Sequence, residues 1–221
     1  MTLTAVLLTG GLSRRMGADK ATLTLAGEPW WARQLCLLRE LQPGALWVSA
    51  RTPPEWCPRE IEVVPDEWPS VGPLSGVAAA LQKMRTSHLL VLAIDLPQMT
   101  TEHLRTLVAR AAAGPGVVPL NRGRFEPLCA VYPAQAASMA VDALKSSDFS
   151  LHSFVATLLR QDLVQTFQPP DSEKSLYQNA NTPDDLAKQG ASGQSAGMLA
   201  TACTCTGPSR PDVSSGSLRV Q

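Results

Sequence analysis

No stretch of this chain approaches the roughly 18 consecutive apolar residues needed to cross a bilayer. The start, Met-Thr-Leu-Thr-Ala-Val, has no basic segment and no cleavage pattern, so a secretory signal is not expected and the cytoplasm is the expected compartment. Net charge is also missing, because 19 basic residues balance 19 acidic ones. A balanced chain has no general positive field, so neither nucleic acid nor a membrane is expected as a partner, and any affinity for phosphate must be local. Cysteines are few: Cys36, Cys57, Cys129, Cys203 and Cys205, odd in number and without a C-x-x-C pair, beside the three scattered histidines His88, His103 and His152. That pattern argues against a structural zinc site or a disulfide framework and leaves Cys36 and Cys129 as buried thiols. Cys203 and Cys205 offer two soft ligands, too few for a site. The chain shows no Ser/His/Asp or Cys/His constellation for nucleophilic catalysis. Aromatic residues make up 5% of the chain, and its five tryptophans, between residues 30 and 68, read as packing, Trp68 included.

What is present is a core. With 221 residues and 44% hydrophobic content, the chain can build one α/β domain of about 190 residues with a short appendage. Strand-like runs lie at 3–8, 45–50, 60–64 and 89–94, with weaker ones at 116–119, 125–132 and 163–167. Between them come helical periods: Trp31, Gln34, Leu35 and Leu38; residues 77–84; Leu104, Leu107, Val108 and Ala111; Ala137, Ala140, Val141 and Leu144; and a stripe of Leu151, Phe154, Val155, Leu158 and Leu159. Alternation of this kind predicts a single Rossmann-like α/β domain over residues 1–189. Its sheet is mostly parallel, with helices on both faces and a mixed edge formed by 125–132 and 163–167. Residues 190–221 are rich in Gly, Ser, Ala and Thr, without aromatics or apolar period, and read as a disordered tail.

The first strand runs straight into Leu8-Thr-Gly-Gly-Leu-Ser-Arg-Arg-Met-Gly-Ala-Asp-Lys20. Gly10 and Gly11 lack a Cβ, so their backbone can approach a phosphate or a base closely. Successive N–H groups in such a turn make an anion-binding concavity, and Arg14, Arg15 and Lys20 add donors and charge for phosphate oxygens. The spacing matches neither the P-loop nor the dinucleotide fingerprint.

This string resembles the signature of the MobA-like nucleotidyltransferases, roughly L-A-G-G-x-S-x-R-M-G-x-D-K, with Thr9 in place of the usual alanine. The paired glycines and the later Gly72-Pro-Leu-Ser-Gly76 look most like the molybdenum cofactor guanylyltransferase branch. The resemblance spans about residues 3–187. It implies transfer of GMP from GTP to molybdopterin, or molybdenum cofactor, with release of pyrophosphate and with Mg²⁺ as cofactor. Under it, Arg15, Lys20 and Asp95 are catalytic; Leu8, Thr9, Gly10, Gly11, Lys20, Asp66 and Asp95 bind the nucleotide; and Asp95 holds the metal. Proteins that deliver or receive the cofactor stand open as further partners. Two rivals remain: the same chemistry with CTP or a sugar-phosphate acceptor, and a nucleotide-binding regulator without turnover.

The residues have their own reading beside the resemblance. Asp95 ends the apolar Leu-Ala-Ile-Asp run, where a carboxylate suits Mg²⁺ but can equally cap a helix. Asp66 follows Val-Val-Pro, where the resemblance implies a nucleotide contact and the residue alone reads as serving a turn. Gly72–Gly76 reads as a second rigid loop opening a helix at 77. Ser49, where the family often has asparagine, leaves a nucleotide contact in doubt. By resemblance, Arg124-Phe-Glu-Pro-Leu128 flanks the acceptor. Asn179 and Asn181 belong to an N-x-N-T-P-type segment that caps a helix and either does or does not touch the metal shell or the acceptor. Strand ends at Gly10, Ser49, Asp66 and Asp95 should meet at one edge, since open α/β sheets bind ligands outside the carboxyl ends of their strands.

Overall fold

The computed structural model describes residues 1–9, 20–25, 27–66, 68 and 72–180. Gly10, Gly11, Arg14, Arg15, Asn181 and the segment 190–221 lie outside the described residues, as does the side chain of Lys20. In chain order the elements are Leu3–Leu8 (β1), the hairpin Thr24–Leu25 (β2) and Glu28–Pro29 (β3), Trp30–Arg39 (α1), Ala45–Ala50 (β4), Glu62–Pro65 (β5) and Pro73–Lys83 (α2). His88–Ala93 (β6), Thr101–Ala111 (α3), Gly116–Asn121 (β7), Arg124–Phe125 (β8), Cys129–Pro133 (β9), Ala136–Lys145 (α4), Leu151–Arg160 (α5) and Val164–Phe167 (β10) follow, then a 3₁₀ segment, Asp171–Tyr177.

All six residues of β1 and all six of β6 are buried, as central strands covered on both faces require. Their side chains alternate between two cores. Val6, Leu8, Leu89 and Val91 pack under α2, α4 and α5, whereas Ala5, Leu7, Leu90 and Leu92 pack under α1 and α3. The α5 stripe of Leu151, Phe154, Val155 and Leu158 is buried in the first core. No helix among the described residues is long and apolar enough to cross a membrane.

The sheet order is β10-β7-β9-β6-β1-β4-β5, with β8 paired to β7. Strands β5, β4, β1 and β6 run parallel, and β10 runs parallel to β7. Strand β9 is antiparallel to both β6 and β7. The sheet is therefore mostly parallel and mixed, but the antiparallel strand lies inside it, between β6 and β7, not at an edge as the sequence led us to expect. The expected strand 125–132 is also divided into β8 and β9, because Pro127 has no N–H to give a ladder. Cysteines divide as well: Cys129 is buried at 1% exposure, while Cys36 is only half-buried, its thiol 3.9 Å from Glu40 on the outer side of α1. Trp30 and Trp47 are core residues, and Trp31 stacks on Trp56 with centroids 5.4 Å apart.

Gly116 marks the tightest point of the mixed half. A Cβ there would lie 2.3 Å from the Val131 carbonyl and 2.8 Å from Pro133 Cδ, so β7, β9 and β10 cannot approach as they do with a larger residue. At Gly44 the nearest atom would be an ordinary 3.5 Å away. We therefore expect Gly116→Ala to cost about 1–3 kcal/mol in urea unfolding, and Gly44→Ala to stay within about 0.5 kcal/mol of the parent. Equal losses at both positions would contradict this account of the strand crossing.

Candidate active site

The carboxyl ends of β1, β4, β5 and β6 lie side by side. Thr9 begins the glycine loop and is anchored across to β4: its N–H and its Oγ1–H both donate to the Ser49 carbonyl, at 3.1 and 3.0 Å. An alanine at position 9 would make only the first bond, so the unusual threonine strengthens the base of the loop. Ser49 itself is 3% exposed, and its Oγ faces Gly76 of α2, where an added Cβ would lie 2.6 Å away. The serine serves strand-to-helix packing at this edge.

The segment 72–76 differs from its reading as a loop. Helix α2 begins at Pro73, whose ring presets helical φ, and Gly72 takes φ +86°, which favours glycine. Residues 73–76 are thus the first helical turn. Asp66, just beyond β5, holds that turn: Ser75 Oγ–H donates to Asp66 Oδ1, and Trp68 N–H donates to the same oxygen at 3.3 Å. Burial raises the Asp66 pKa, opposed by the Trp68 N–H and the charge of Arg51. Three strand spacings, about 14 Å, separate the β5 end from the β6 end in the sheet order.

Asp95 follows β6, half-buried. The adjoining backbone is tied on both sides: Ile94 N–H donates to the Leu8 carbonyl at 3.0 Å and Ala93 N–H to the Leu128 carbonyl at 2.8 Å. Because β9 runs antiparallel to β6, the turn entering β9 arrives beside Asp95, bringing Glu126 with it. Together Asp95, Arg124, Phe125, Glu126, His152 and Asn179 line much of one cavity of about 440 Å³. Asn121, at the end of β7, donates from Nδ2 to Glu126 Oε1 and to the Lys174 carbonyl, both at 3.3 Å. Burial raises the Glu126 pKa; Asn121 and Arg124 oppose the rise, and the charge of Asp95 adds to it.

A divalent cation fits this donor set. Among the described residues no three His, Cys, Asp or Glu side chains gather into a complete metal cage. One or two carboxylates with substrate phosphates and waters is the arrangement Mg²⁺ commonly takes. Asp95, which lines the cavity, offers one such carboxylate.

The cavity has a wall that sequence reasoning missed. The 3₁₀ segment 171–177 packs on α3, and Ala180 N–H then donates to the Asp95 carbonyl at 3.0 Å. His103 Nδ1 meets Glu173 Oε2 at 2.8 Å and Nε2 meets Tyr177 Oη at 2.5 Å. A carboxylate only accepts, so Nδ1 carries the proton and neutral Nε2 accepts from the tyrosine. Helical spacing did offer one signal, since His103 lies four residues before the buried Leu107, but its partners are 70 and 74 residues away. Asn179 thereby joins the cavity, while Asn181 lies outside the described residues.

Comparison with known proteins identifies the family and the fold. A family model described as the MobA-like NTP transferase domain matches residues 5–163. The chain belongs to this family. The probable molybdenum cofactor guanylyltransferase of Opitutus terrae is 36% identical over 190 residues, covering 85% of this chain and 94% of that protein. The crystal structure of molybdopterin-guanine dinucleotide biosynthesis protein A from Archaeoglobus fulgidus superposes with a TM-score of 0.66 at 25% identity, covering 85% of this chain and 97% of that one. At 15% identity, the 2-C-methyl-D-erythritol 4-phosphate cytidylyltransferase of Thermus thermophilus shares the fold, with a TM-score of 0.60 and coverage of 86% and 98%.

The wall predicts a pH response. Burial lowers the His103 pKa, partly offset by Glu173. The unfolded chain therefore takes up a proton on this imidazole at higher pH than the fold does. The stability gained by keeping His103 neutral is full above about pH 6.5 and falls as pH drops below it. In urea unfolding, the stability advantage of the parent over His103→Gln should shrink between pH 7.5 and 5.5. A constant difference would mean that His103 is not held neutral.

Proposed function

We propose that this protein transfers GMP from GTP to the phosphate of molybdopterin, releasing pyrophosphate and forming a guanine dinucleotide cofactor. The reading is carried chiefly by one juxtaposition: the strand that feeds the glycine loop and the strand that ends in Asp95 are neighbours, with their carboxyl ends on one edge. It is supported by the 36% identity to a relative named as a molybdenum cofactor guanylyltransferase.

Phosphoryl-type transfer asks a protein mainly for positioning and charge stabilisation. In this scheme Leu8, Thr9, Gly10 and Gly11 hold the base and the triphosphate through backbone groups. Asp66 keeps the first turn of α2 in place against the nucleoside through Ser75. Arg15 and Lys20 bind the triphosphate and stabilise the departing pyrophosphate. Asp95 holds Mg²⁺, which when bound neutralises charge on phosphate oxygens. The acceptor occupies the cavity on the β9 side of Asp95, and its phosphate attacks in line. Residues 1–189 suffice for this activity in the same scheme, and the cytoplasm is its proposed location.

Nucleotide choice tests the reading directly. Guanine presents N1–H and a 2-amino group as donors, and a site built to pair with them loses about 1–3 kcal/mol for each group left unmet. With molybdopterin as acceptor and matched Mg²⁺, kcat/KM should be at least roughly tenfold higher for GTP than for CTP or ATP. Equal values for GTP and CTP would overturn the guanylyl assignment, and GTP binding without turnover would favour a regulator.

Asp95→Asn keeps the shape of the side chain and removes its charge. Losing about 3 kcal/mol of metal-supported stabilisation lowers kcat about a hundredfold, with the melting temperature little changed. Near-parent turnover at the same Mg²⁺ concentration would place the metal elsewhere.

A further inference from the structure

The cavity on the β9 side of Asp95 holds a second carboxylate for which the proposed transfer has no use. Glu126 is half-buried, and one of its oxygens, Oε1, is held from behind by the Asn121 amide, itself fixed to the Lys174 carbonyl. Beside it Phe125 and His152 form an aromatic wall, their centroids 6.1 Å apart and their rings inclined at 34°. A carboxylate held in one orientation next to an aromatic wall suits a flat heterocycle with two adjacent donors on one edge.

We infer that Glu126 reads the pyrimidinone edge of a pterin, its carboxylate accepting from the ring N3–H and the 2-amino group while Phe125 and His152 cover the ring. The inference rests on the acceptor of the proposed function being a pterin. A 2-amino-4-oxo pyrimidine ring sets its N–H and amino donors side by side, about as far apart as the two oxygens of a carboxylate. Each carboxylate oxygen has two acceptor sites, so the Asn121 bond to Oε1 still leaves capacity for a ligand. Asp95 is less suited to this task, because in the same scheme its charge is committed to the cation. Glu126 is therefore a specificity residue for the acceptor, separate from the glycine loop that selects the nucleotide.

The test needs no turnover. The full-length protein is titrated with pterin and with lumazine, which carries a carbonyl in place of the 2-amino group, and affinity is read by ring fluorescence near neutral pH. The wild type should bind pterin roughly ten- to a hundredfold more tightly, because lumazine sets a carbonyl against a carboxylate oxygen. Glu126→Gln should reduce or invert that ratio. Asn121 keeps the amide oxygen in place of Oε1, so the glutamine NH₂ points where lumazine offers an acceptor. A thermal melt confirms that the variant folds, and the wild-type ratio stands as a test even if it does not. Equal affinities in the wild type, or an unchanged ratio in a folded variant, would overturn the inference. GMP transfer with an unchanged ratio leaves the proposed function standing without this site. A switched ratio with no GMP transfer keeps the pterin site and removes the proposed reaction.

Discussion

Strand β6 is the constraint on which the rest of the site depends. It is buried along its whole length and hydrogen-bonded in opposite senses on its two sides, parallel to β1 and antiparallel to β9. Parallel pairing puts the end of β1, where the glycine loop starts, next to the end of β6. Antiparallel pairing puts the start of β9 there as well. Asp95 thus stands between two chain segments that approach from opposite directions, one bearing the proposed nucleotide loop and one bearing Glu126. Reversing β9 would carry Glu126 to the far edge of the sheet, since each residue of a strand advances about 3.3 Å.

Around that seam the two halves are braced differently. The proposed nucleotide side relies on short polar links: the Thr9 N–H and hydroxyl to the Ser49 carbonyl, and the Ser75 hydroxyl in the first turn of α2 to the Asp66 carboxylate. Such links suit a surface that must present main-chain donors and acceptors in fixed directions. The proposed acceptor side relies on the buried side chains of His103, Tyr177 and Asn121, with His103 joined to Glu173 and Tyr177 and with Asn121 joined to Glu126 and the Lys174 carbonyl. Polar groups bonded in a low-dielectric interior are costly to separate. The 3₁₀ segment is therefore held against α3, and with it Asn179 and the bond from Ala180 to Asp95.

Much of this was legible before any coordinates. Hydrophobic runs with the right period located β1, β4, β6 and the helices to within a few residues, because burial on one or both faces writes itself into local order. The glycine, arginine and lysine spacing after β1 pointed to phosphate, and Asp66 and Asp95 fell at strand ends as that reading required. The short hairpin of β2 and β3 and the 3₁₀ segment escaped notice, since two-residue strands and polar turns carry no period. Pro73 preset the first turn of α2, yet the flanking glycines made the segment read as a loop.

The sequence by itself determined the family, the alternation of strands and helices, and the kinds of side chain available to a nucleotide and a metal. Each of these depends on neighbours along the chain. Only the tertiary structure decided that β9 enters the middle of the sheet in reverse, that Glu126 shares a cavity with Asp95, and that His103 locks a segment through partners 70 and 74 residues away. Those are pairings between distant segments, chosen by which faces bury together and which polar groups find partners, and no local pattern encodes them.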